Sequence, residues 1–462
     1  MAGKSKRASG GRSTAPELSS QEERRPFRVQ QLVPVFGPDG RHPPRVTLRH
    51  APVVLGREPD GDGIALDDPE ASRRHAVVEA AAEGWIVRDL GSHNGTWLDA
   101  RRCEQAPLQH GSVLRLGRSL VLFLDQWVLP GELRVPETSI QGMSLPMQRL
   151  RREIAQVAPT AVPVLVLGET GVGKELVARE IHRLSQRAGD LVAVNCAAIP
   201  PSLAEAELFG HLSGAFTGAT QSRDGLMAAA HRGTLFLDEV GELPLEVQPK
   251  LLRALAEGEV RPVGGSALRR VDARVVSATR RPLVADAHAD SFRADLYARL
   301  AGWRLEVPPL RARREDILPL AMHFLARSAR SVGLSTHAAE ALLLHGYPFN
   351  VRELERAMEA SAVRASGEPM LRRSHLPSEI ATVSAPRPAP AEPEPKRPTP
   401  IVPEALVPPS ETPDRAALVR ILEHFGGNVE RTASYFGKNR KQIYRWLEAE
   451  GLDPADFRGS PG

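Results

Sequence analysis

Two short segments of this chain carry residue types that could bind and cleave a phosphoanhydride. The first follows the apolar run Val164–Leu167 and reads Gly168-Glu169-Thr170-Gly171-Val172-Gly173-Lys174-Glu175. Glycines let backbone N–H groups wrap a phosphate, the helix that opens near Lys174 adds its positive end, and Lys174 supplies a point charge for the β and γ phosphates. The general pattern has Ser or Thr where this chain has Glu175. The alternative is a glycine-rich turn without a ligand.

The second segment, Gly233-Thr234-Leu235-Phe236-Leu237-Asp238-Glu239, reads as an apolar strand that ends in two acids. We expect these carboxylates at the sheet edge beside the glycine-rich loop. Asp238 would hold Mg²⁺, directly or through water, and Glu239 would polarise an attacking water. Two acids after a strand also occur as a helix cap. Their place after a phosphate-binding loop favours ATP hydrolysis, with ATP and Mg²⁺ as cofactors.

The elements that would position these residues follow from patterns along the chain. From 139 to 382, apolar strands alternate with amphipathic helices, which predicts an α/β domain with a parallel sheet. Short β-type runs over 27–128 predict an all-β sandwich. Residues 1–26 form a basic polar tail, 383–413 a linker with eleven prolines in its last thirty positions, and 414–455 a small all-α unit.

Composition favours a cytoplasmic protein without a membrane partner. The 462 residues are 42% hydrophobic and 25% charged, which is enough apolar material for several cores. Cys103 and Cys196 cannot build a disulfide framework. The chain has no run of about 18 apolar residues and no hydrophobic signal core. A net charge of +4 permits nucleic-acid binding without requiring it.

The segment Gly214-Ala215-Phe216-Thr217-Gly218-Ala219 lies between the two phosphate-chemistry segments. Two glycines leave the backbone mobile, and an exposed phenylalanine is unfavourable unless a partner receives it. The alternative is an ordinary glycine-rich turn. In this setting the segment resembles the contact loop of the bacterial enhancer-binding proteins, the AAA+ activators of sigma-54 RNA polymerase. The form GETGVGKE resembles the same family, in which Glu is common at the position of Glu175.

The resemblance implies further site residues and an assembly. Asn195 would restrain Glu239 until the loop engages its target, unless it only closes a strand. Arg293 and Arg299 would act in trans on a neighbouring subunit's nucleotide, unless they form surface ion pairs. Arg352, within Tyr347-Pro348-Phe349-Asn350-Val351-Arg352, would read the nucleotide state. A homo-oligomeric ring, by resemblance a hexamer, follows from arginines acting in trans.

Several positions depart from the family pattern. Arg280 stands where the family usually has Asn, although Thr279 beside it is retained. Phe349 replaces a glycine, and Leu212-Ser213 replace a more charged pair before the loop. Because none of these touches Lys174 or the acid pair, we expect altered kinetics and not an inactive enzyme.

Three loops of the predicted sandwich read, in chain order, Gly56-Arg57, Ser72-Arg73-Arg74-His75 and Ser92-His93-Asn94-Gly95-Thr96. Their order and spacing resemble those of a forkhead-associated (FHA) domain, which recognises phosphothreonine. A phosphate dianion requires cations and hydroxyl donors. By this resemblance Arg57, Ser72 and Arg73 would bind the phosphate, and Asn94, assisted by Ser92, would hold the peptide backbone. The partner would be a phosphothreonine protein or a Ser/Thr kinase; the alternative is a sandwich whose loops make only internal contacts.

The C-terminal unit shows a helix, a glycine turn and a basic helix. Apolar spacing predicts helices over Ala416–Phe425 and Asn428–Phe436, with Asn439 capping a third over Arg440–Leu447. Four positive charges and no negative ones lie within 438–445. This resembles a Fis-type helix-turn-helix that binds enhancer DNA, and a plain packing module is the alternative. The candidate DNA contacts are Arg440, Lys441, Gln442, Tyr444 and Arg445.

The sequence therefore predicts an ATP-driven activator of the sigma-54 RNA polymerase holoenzyme, regulated through phosphothreonine. A second reading is a phosphopeptide-dependent DNA-binding scaffold whose ATPase no longer turns over, for which Arg280 is the best support. A third is an AAA+ remodeller of some complex other than the polymerase.

Overall fold

The structure is a computed structural model that describes residues 26–40, 42–129, 138–216, 218–283, 286, 291–327, 332–382, 415–425, 427–436, 438 and 440–457. Contacts divide the chain into two compact units, Met1–Glu392 and Pro393–Gly462. The tail expected over 1–26, apart from Pro26, and the linker expected over 383–413 lie outside the described residues.

The first unit begins with the β-sandwich that the short strands predict. Its described strands are β1 (Phe27–Phe36), β2 (Val46–Thr47), β3 (Val53–Gly56), β4 (Ile64–Ala65), β5 (Ala76–Ala81), β6 (Gly84–Asp89), β7 (Thr96–Leu98), β8 (Arg101–Cys103), β9 (Gln105–Pro107), β10 (Val113–Leu116) and β11 (Ser119–Val128). One sheet has the order β2-β1-β11-β10-β7-β8, and the other has β4-β3-β5-β6-β9. Inward side chains such as Leu55, Val78 and Phe123 are almost fully buried between the sheets.

Strand β11 is buried on both of its faces. Val121 and Phe123 pack into the core of the sandwich. Leu120, Leu122 and Leu124 point to the opposite face, because successive side chains of a strand alternate, and they join a second apolar cluster outside the sandwich. The unbroken apolar run of this strand is typical of a strand covered on both sides.

The next region is the α/β domain that the alternating pattern predicts. Its described strands are β12 (Val164–Leu167), β13 (Leu191–Asn195), β14 (Gly210–His211), β15 (Arg223–Asp224), β16 (Thr234–Asp238), β17 (Glu259–Val260), β18 (Arg269–Arg270), β19 (Arg274–Thr279) and β20 (Trp303–Glu306). The main sheet has the order β13-β16-β19-β12-β20, and its neighbours all run parallel. Its described helices are α1 (Leu145–Val157), α2 (Lys174–Ser185), α3 (Ala204–Phe209), α4 (Leu226–Ala229), α5 (Gln248–Glu257) and α6 (Ala294–Leu300).

A helical subdomain over residues 310–382, here called the lid, follows the parallel sheet. Its described elements are α7 (Ile317–Arg327), β21 (Gly333–Leu334), α8 (Thr336–Leu344), α9 (Asn350–Arg364), β22 (Met370–Leu371) and α10 (Ser378–Ala381), with short 3₁₀ turns at Leu310–Ala312, Arg314–Asp316 and Arg373–His375. The apolar faces of these helices form one cluster around Leu342, Tyr347 and Met358.

The sandwich packs directly on the lid, at a contact that we call the joint. The outer side chains of β11 belong to the same apolar cluster as the lid helices. Nε of Arg115 donates to both carboxylate oxygens of Glu340 at 3.1 Å, and their side chains are only 11% and 5% exposed. Arg314 of the lid donates to the carbonyl of Gly111 at 2.6 Å. No prediction from the sequence included this contact, although the apolar run of β11 agrees with it.

The second unit contains α11 (Arg415–His424), α12 (Val429–Tyr435), α13 (Arg440–Ala449) and a 3₁₀ turn at Pro454–Phe457. Leu418, Leu422, Ile443 and Leu447 form its core, as their helical spacing predicts. The predicted cap Asn439 and the predicted break at Gly437 lie outside the described residues. Of the helices that the structure describes across both units, none combines the length and the apolar character needed to cross a membrane.

Candidate functional site

The glycine-rich loop joins the end of β12 to the start of α2. Gly171 and Gly173 have φ values of +77° and +104°, which favour glycine. A Cβ on Gly171 would lie 2.2 Å from the carbonyl oxygen of Phe349 in the lid, so the loop and the lid are in close backbone contact. Lys174 is 8% exposed, and its Nζ donates to the carbonyl of Gly168 at 2.9 Å. The lysine is therefore held over the loop by the loop's own backbone.

The acid pair lies beside this lysine, as the sequence predicts. Asp238 ends β16, and Glu239 follows it with φ +50°, a left-handed conformation that is unfavourable for a residue with a side chain. Glu239 Oε1 is 3.6 Å from Lys174 Nζ. Burial, and then repulsion by Glu239, raise the pKa of Asp238, while Lys174 opposes that rise. Two adjacent, half-buried carboxylates favour a bound cation.

These residues line a cleft of about 800 Å³ between the parallel sheet and the lid. Its walls include Thr170 to Lys174, Glu175, Asn195, Asp238, Glu239 and, from the lid, Arg313, Phe324 and Arg352. That volume lies within the range typical of small-molecule and cofactor sites. The cleft thus brings together the predicted loop, the predicted acids, Asn195 and the predicted lid arginine.

Arg293 and Arg299 do not belong to the lining of this cleft. Arg293 directly precedes α6 and donates two hydrogen bonds to Asp295, the shorter 2.7 Å long. Arg299, on α6, donates to the carbonyl of Leu255 at 2.8 Å. Both side chains are exposed at the surface of the domain, and Arg293 forms the kind of surface ion pair named as its alternative.

Asn195 lies at the end of β13, opposite Asp238 in the strand register. Its side-chain oxygen accepts the N–H of Ala197 at 2.9 Å and so caps the following 3₁₀ turn. Asn195 therefore closes a strand and also lines the cleft, and its role in restraining Glu239 stays a prediction.

Three lid residues that the sequence analysis did not single out hold the glycine-rich loop in place. Arg311 forms a bidentate pair with the carboxylate of Glu169, at 2.5 and 2.8 Å. The buried side chain of Asn350 donates to Glu169 and to the carbonyl of Thr170, both at 3.1 Å. Arg313 donates to the carbonyl of Val172 at 3.2 Å. Hydrogen bonds from Arg311 and Asn350 thus tie Glu169 to the lid. The opposite charges of Glu169 and Arg311 were the one feature of the sequence that could have indicated this contact.

The segment Gly214–Ala219 forms a loop at the end of the β14–β15 hairpin. The N–H of Gly214 donates to the carbonyl of Ala219 at 2.7 Å, which closes the loop. Phe216 is 37% exposed, and its ring centroid lies 5.1 Å from that of His211. Thr217 lies outside the described residues. An exposed phenylalanine on a short glycine-bounded loop is suited to contact a partner.

The predicted phosphate loops of the sandwich lie side by side. Strand β3 ends at Gly56, where a Cβ would be 2.2 Å from the carbonyl oxygen of Arg73, so only glycine fits. The N–H of Arg57 donates to the carbonyl of Ser72 at 2.9 Å. The side chains of Arg57 and Arg73 are exposed, and that of Ser72 is half-buried. The structure therefore brings together the three residues predicted to bind phosphate.

Asn94 and Ser92 occupy the third loop. The amide of Asn94 donates to the carbonyl of Glu70 at 2.8 Å, which leaves its oxygen able to accept a further hydrogen bond. The hydroxyl of Ser92 donates to Asp89 at 2.5 Å, and this hydrogen bond helps to hold the turn. We call the loops that carry Arg57, Ser72, Arg73 and Asn94 the phosphate loops.

His75 supports these loops from inside the sandwich. Its Nδ1 accepts the N–H of Ser72 at 3.1 Å, and its Nε2 lies 3.2 Å from the carbonyl oxygen of Gly95. This pattern requires a neutral ring with the proton on Nε2. Burial lowers the pKa of His75, which keeps it neutral.

Comparison with known protein families agrees with this arrangement. Residues 53–117 match the FHA domain, 140–306 the Sigma-54 interaction domain and 311–393 the AAA+ ATPase lid domain. The crystal structure of NtrX from Brucella abortus in complex with ADP superposes with a TM-score of 0.50 and 34% sequence identity, over 70% of this chain and 71% of that one. The chain belongs to the sigma-54 activator family. Its α/β domain and lid form an AAA+ ATPase.

Two relatives show how far the similarity of this sigma-54 activator extends. The nitric oxide reductase transcription regulator NorR2 of Cupriavidus necator is 53% identical over 232 residues, which cover 49% of this chain and 44% of that protein. The anaerobic nitric oxide reductase transcription regulator NorR of Salmonella newport is 44% identical over 321 residues, or 64% of this chain and 63% of that protein. The activator thus spans about half to two thirds of these relatives' length.

The residues that depart from the family pattern all have exposed side chains. Phe349 replaces a glycine, but its φ of −110° is accessible to any residue, and its side chain is 60% exposed. The backbone N–H of Arg280 lies 3.4 Å from Glu239, and its side chain is exposed. Thr279 is buried and its hydroxyl accepts the N–H of Arg281. Leu212 is 42% exposed beside the loop, and the hydroxyl of Ser213 donates to the carbonyl of Thr220.

The basic helix α13 presents the candidate DNA contacts of the activator. Lys441, Tyr444 and Arg445 are exposed, and Gln442 is half-buried. Arg440 is exposed and forms an ion pair with Glu430 of α12. Trp446 packs edge-on against Phe436, 5.7 Å between ring centroids.

Proposed function

We propose that this activator uses ATP hydrolysis to remodel the sigma-54 RNA polymerase holoenzyme, while its C-terminal unit binds enhancer DNA and its FHA domain receives a phosphothreonine signal. The observation that carries the proposal is one domain holding both a buried lysine beside two carboxylates and a loop with an exposed phenylalanine. A site that cleaves a nucleotide and a surface that contacts a partner are the two requirements of a mechanical ATPase.

The mechanism assigns a task to the glycine-rich loop and to four side chains of the cleft. The N–H groups of the glycine-rich loop and the ammonium of Lys174 bind the β and γ phosphates. Glu239 accepts a hydrogen bond from the attacking water and orients it in line with the γ phosphate. Asn195 restrains Glu239 between encounters with the polymerase, and Arg352 of the lid registers whether the γ phosphate is present.

The donor set fits Mg²⁺. The pKa of Asp238 is raised by burial and by the neighbouring Glu239, and a divalent cation would relieve this repulsion. Among the described residues, no cluster of three or more metal-ligating side chains occurs, as is usual for Mg²⁺, which takes one or two carboxylates together with phosphates. Asp238 would hold the ion, which neutralises charge on the β and γ phosphates when bound.

Arg293 and Arg299 supply positive charge to a neighbouring subunit's nucleotide. Their position outside the chain's own cleft and their exposure support action in trans. An arginine that acts in this way contributes roughly 10³–10⁵ in rate. A homo-oligomer, by family likeness a hexameric ring, is therefore the active form.

The loop Gly214–Ala219 transmits the nucleotide state to sigma-54. Phe216 and Thr217 are the contact residues, and the glycines at both ends allow the loop to move. Arg440, Lys441, Gln442, Tyr444 and Arg445 contact enhancer DNA and hold the ring near the promoter. Arg57, Ser72 and Arg73 bind the phosphothreonine of a kinase or another phosphoprotein, with Asn94 and Ser92 on its backbone.

Mixing two inactive variants tests the trans arrangement. Lys174→Ala and Arg293→Ala should each lose nearly all ATP turnover. Mixed, they should recover a measurable fraction, because some boundaries then combine an intact cleft with an intact arginine. If both variants assemble and the mixture recovers nothing, Arg293 does not act in trans. A parent protein without turnover would favour the DNA-binding scaffold.

A second experiment tests the contact loop. Phe216→Ala should keep ATP turnover and lose open-complex formation with the sigma-54 holoenzyme. Leu245→Ala is the matched control, since Leu245 is also an exposed apolar residue, at 50%, but lies outside the loop. Normal transcription by Phe216→Ala would overturn the role of the loop. Failure of the parent protein to bind sigma-54 would indicate a remodeller of another complex.

A further inference from the structure

A second cavity lies at the joint, between the sandwich and the lid. It measures about 380 Å³, within the range of ligand-binding pockets. Asn94, Trp97 and Arg118 line it from the sandwich, and Ser335, His337 and Met370 line it from the lid. Asn94 also belongs to the phosphate loops. The cavity, which we call the joint cleft, therefore begins where the phosphate loops end.

The walls of the joint cleft suit a short extended peptide. The side-chain oxygen of Asn94 can accept a peptide N–H, since its amide is already donated to the carbonyl of Glu70. Arg118 and the exposed Glu70 and His337 offer partners for polar groups. Leu334 and Met370 offer apolar surface for one side chain. A few polar groups placed around an apolar floor are typical of a specific binding site.

The two walls are held at a fixed separation. The hydroxyl of Thr336, at the start of α8, donates to the carbonyl of Arg118 at 3.0 Å. One turn further along α8, Glu340 forms the buried pair with Arg115, whose guanidinium also lies 4.3 Å above the ring of Trp97. The joint cleft is thus a space between two fixed walls, and it does not close when the sandwich and the lid are in contact.

The phosphate loops remain accessible in this arrangement. Arg57 and Arg73 are exposed although the lid is packed on the sandwich. A phosphothreonine can therefore bind without separating the two regions, and the chain that leaves it past Asn94 enters the joint cleft.

We propose that the joint cleft receives the residues flanking the phosphothreonine, so that the sandwich and the lid read the phosphopeptide together. This rests on the proposed phosphothreonine recognition and adds the lid as a determinant of peptide choice. A ligand that contacts both regions binds the packed arrangement more tightly than a separated one, and it shifts the population accordingly. The lid also lines the cleft that contains Lys174 and Asp238, which we call the nucleotide cleft. A ligand that contacts the lid is therefore positioned to influence the nucleotide cleft.

The test uses the full chain and fluorescent, degenerate peptide libraries with one fixed phosphothreonine. One library extends on both sides of the phosphothreonine, and two others are cut short on one side or the other. His337→Trp and Met370→Trp fill the joint cleft from the lid, outside the phosphate loops. Val363→Trp is the matched control, since Val363 is a lid residue that is 75% exposed and does not line the cleft.

We expect the parent to bind one of the cut libraries about tenfold more weakly than the long one, and both filled variants to bind the long library as weakly as that cut library. Val363→Trp should match the parent. Equal affinity of the parent for all three libraries would overturn the proposal, as would parent-like binding of the long library by both filled variants. If a filled variant loses cooperative unfolding, His337→Ala and Met370→Ala replace it and should shift affinity for the long library only.

Arg57→Ala separates this proposal from the one beneath it. If Arg57→Ala abolishes binding while the filled variants leave it unchanged, phosphothreonine recognition stands and the role of the lid is wrong. If Arg57→Ala leaves binding unchanged, the phosphate loops are not the binding site, and both proposals are wrong.

Discussion

The two anion sites proposed for this activator use burial in opposite ways. In the nucleotide cleft, Lys174 is 8% exposed, bonded to the loop it serves and 3.6 Å from Glu239. In the sandwich, the arginines of the phosphate loops are exposed and only the supporting His75 is buried. Charges in a low-dielectric interior interact strongly with a bound ligand, and water cannot substitute for them. Exposed charges are screened by solvent and salt. The buried site is suited to chemistry and the exposed site to reversible recognition.

The largest expected effect comes from removing the buried lysine. Lys174→Ala should reduce ATP turnover on the order of 10³-fold or more, because no water-solvated group replaces a preorganised charge on the phosphates. The measurement is steady-state phosphate release by the assembled protein. Lys250→Ala, which removes an exposed lysine of α5 with a side chain 53% exposed, should leave turnover unchanged. Equal turnover in the parent and Lys174→Ala would show that the cleft is not the hydrolytic site.

The joint offers the second test, since it connects the two sites through a buried ion pair. Arg115→Met leaves the carboxylate of Glu340 buried and unpaired, which should lower the free energy of unfolding by about 3–5 kcal/mol. The double change Arg115→Met with Glu340→Leu should recover most of this loss, because no buried charge is left over. Urea unfolding of both variants measures the difference.

The control for the joint is an exposed pair in the same protein. Arg269→Met removes an ion pair with Asp224 whose side chains are 53% and 70% exposed, and it should cost less than about 1 kcal/mol. Comparable losses in Arg115→Met and Arg269→Met would mean that burial does not set the strength of the joint.

The exposed phosphate loops should show a smaller and salt-sensitive effect. Arg57→Ala should weaken phosphothreonine-peptide binding roughly 10- to 100-fold at low salt, the value of one charge-assisted hydrogen bond. The difference from the parent should shrink as salt rises, because the guanidinium is exposed. Fluorescence anisotropy across a salt series measures it, with Arg101→Ala of the sandwich as control. A salt-independent loss would contradict the contrast between the two sites.

A pH-dependent effect concerns Glu315, in the lid turn Arg314–Asp316. Burial, and then repulsion by Asp316, raise its pKa to about 7, while Arg45 and the N–H of Leu145 oppose the rise. The folded state therefore holds a proton that the unfolded state loses near pH 4.5, so stability falls as pH rises from about 4.5 to 7. The full loss is up to about 3 kcal/mol, and partial exposure of the side chain reduces it.

Glu315→Gln should remove this pH dependence. Its melting temperature should equal that of the parent below about pH 4 and exceed it above pH 7, since the amide stays neutral. Thermal unfolding at several pH values provides the measurement, and Glu379→Gln, an exposed lid carboxylate, provides the control. Parallel pH curves for Glu315→Gln and the parent would contradict the assignment.

Local patterns were enough to place the candidate residues on loops and strand ends, but not to predict the contacts between regions. The glycine-rich loop, the acids after β16 and the three sandwich loops each depend on residues close together in sequence, and they lie next to the strands that periodicity predicts. The core positions Ile443 and Leu447 followed from helical spacing for the same reason.

The residues that the sequence missed act over long separations. Asn350 bonds Glu169 across 181 positions, and Arg115 pairs with Glu340 across 225. No pattern around Asn350 or Arg115 points to these distant partners, because an isolated polar side chain is usually a solvated surface group. The apolar run in β11 was the one local signal of the joint, as a strand with a single covered face would alternate with polar residues.

Strand β11 has a consequence for how such regulators can be recombined. A gene fusion that transplants residues 27–128 alone would carry Leu120, Leu122 and Leu124 into water, on a face that the lid covers in this chain. The recipient would acquire a sensory module prone to aggregate. A viable exchange between regulators must therefore place its crossover beyond the lid, so that the sensor and the ATPase that it covers are inherited as one segment.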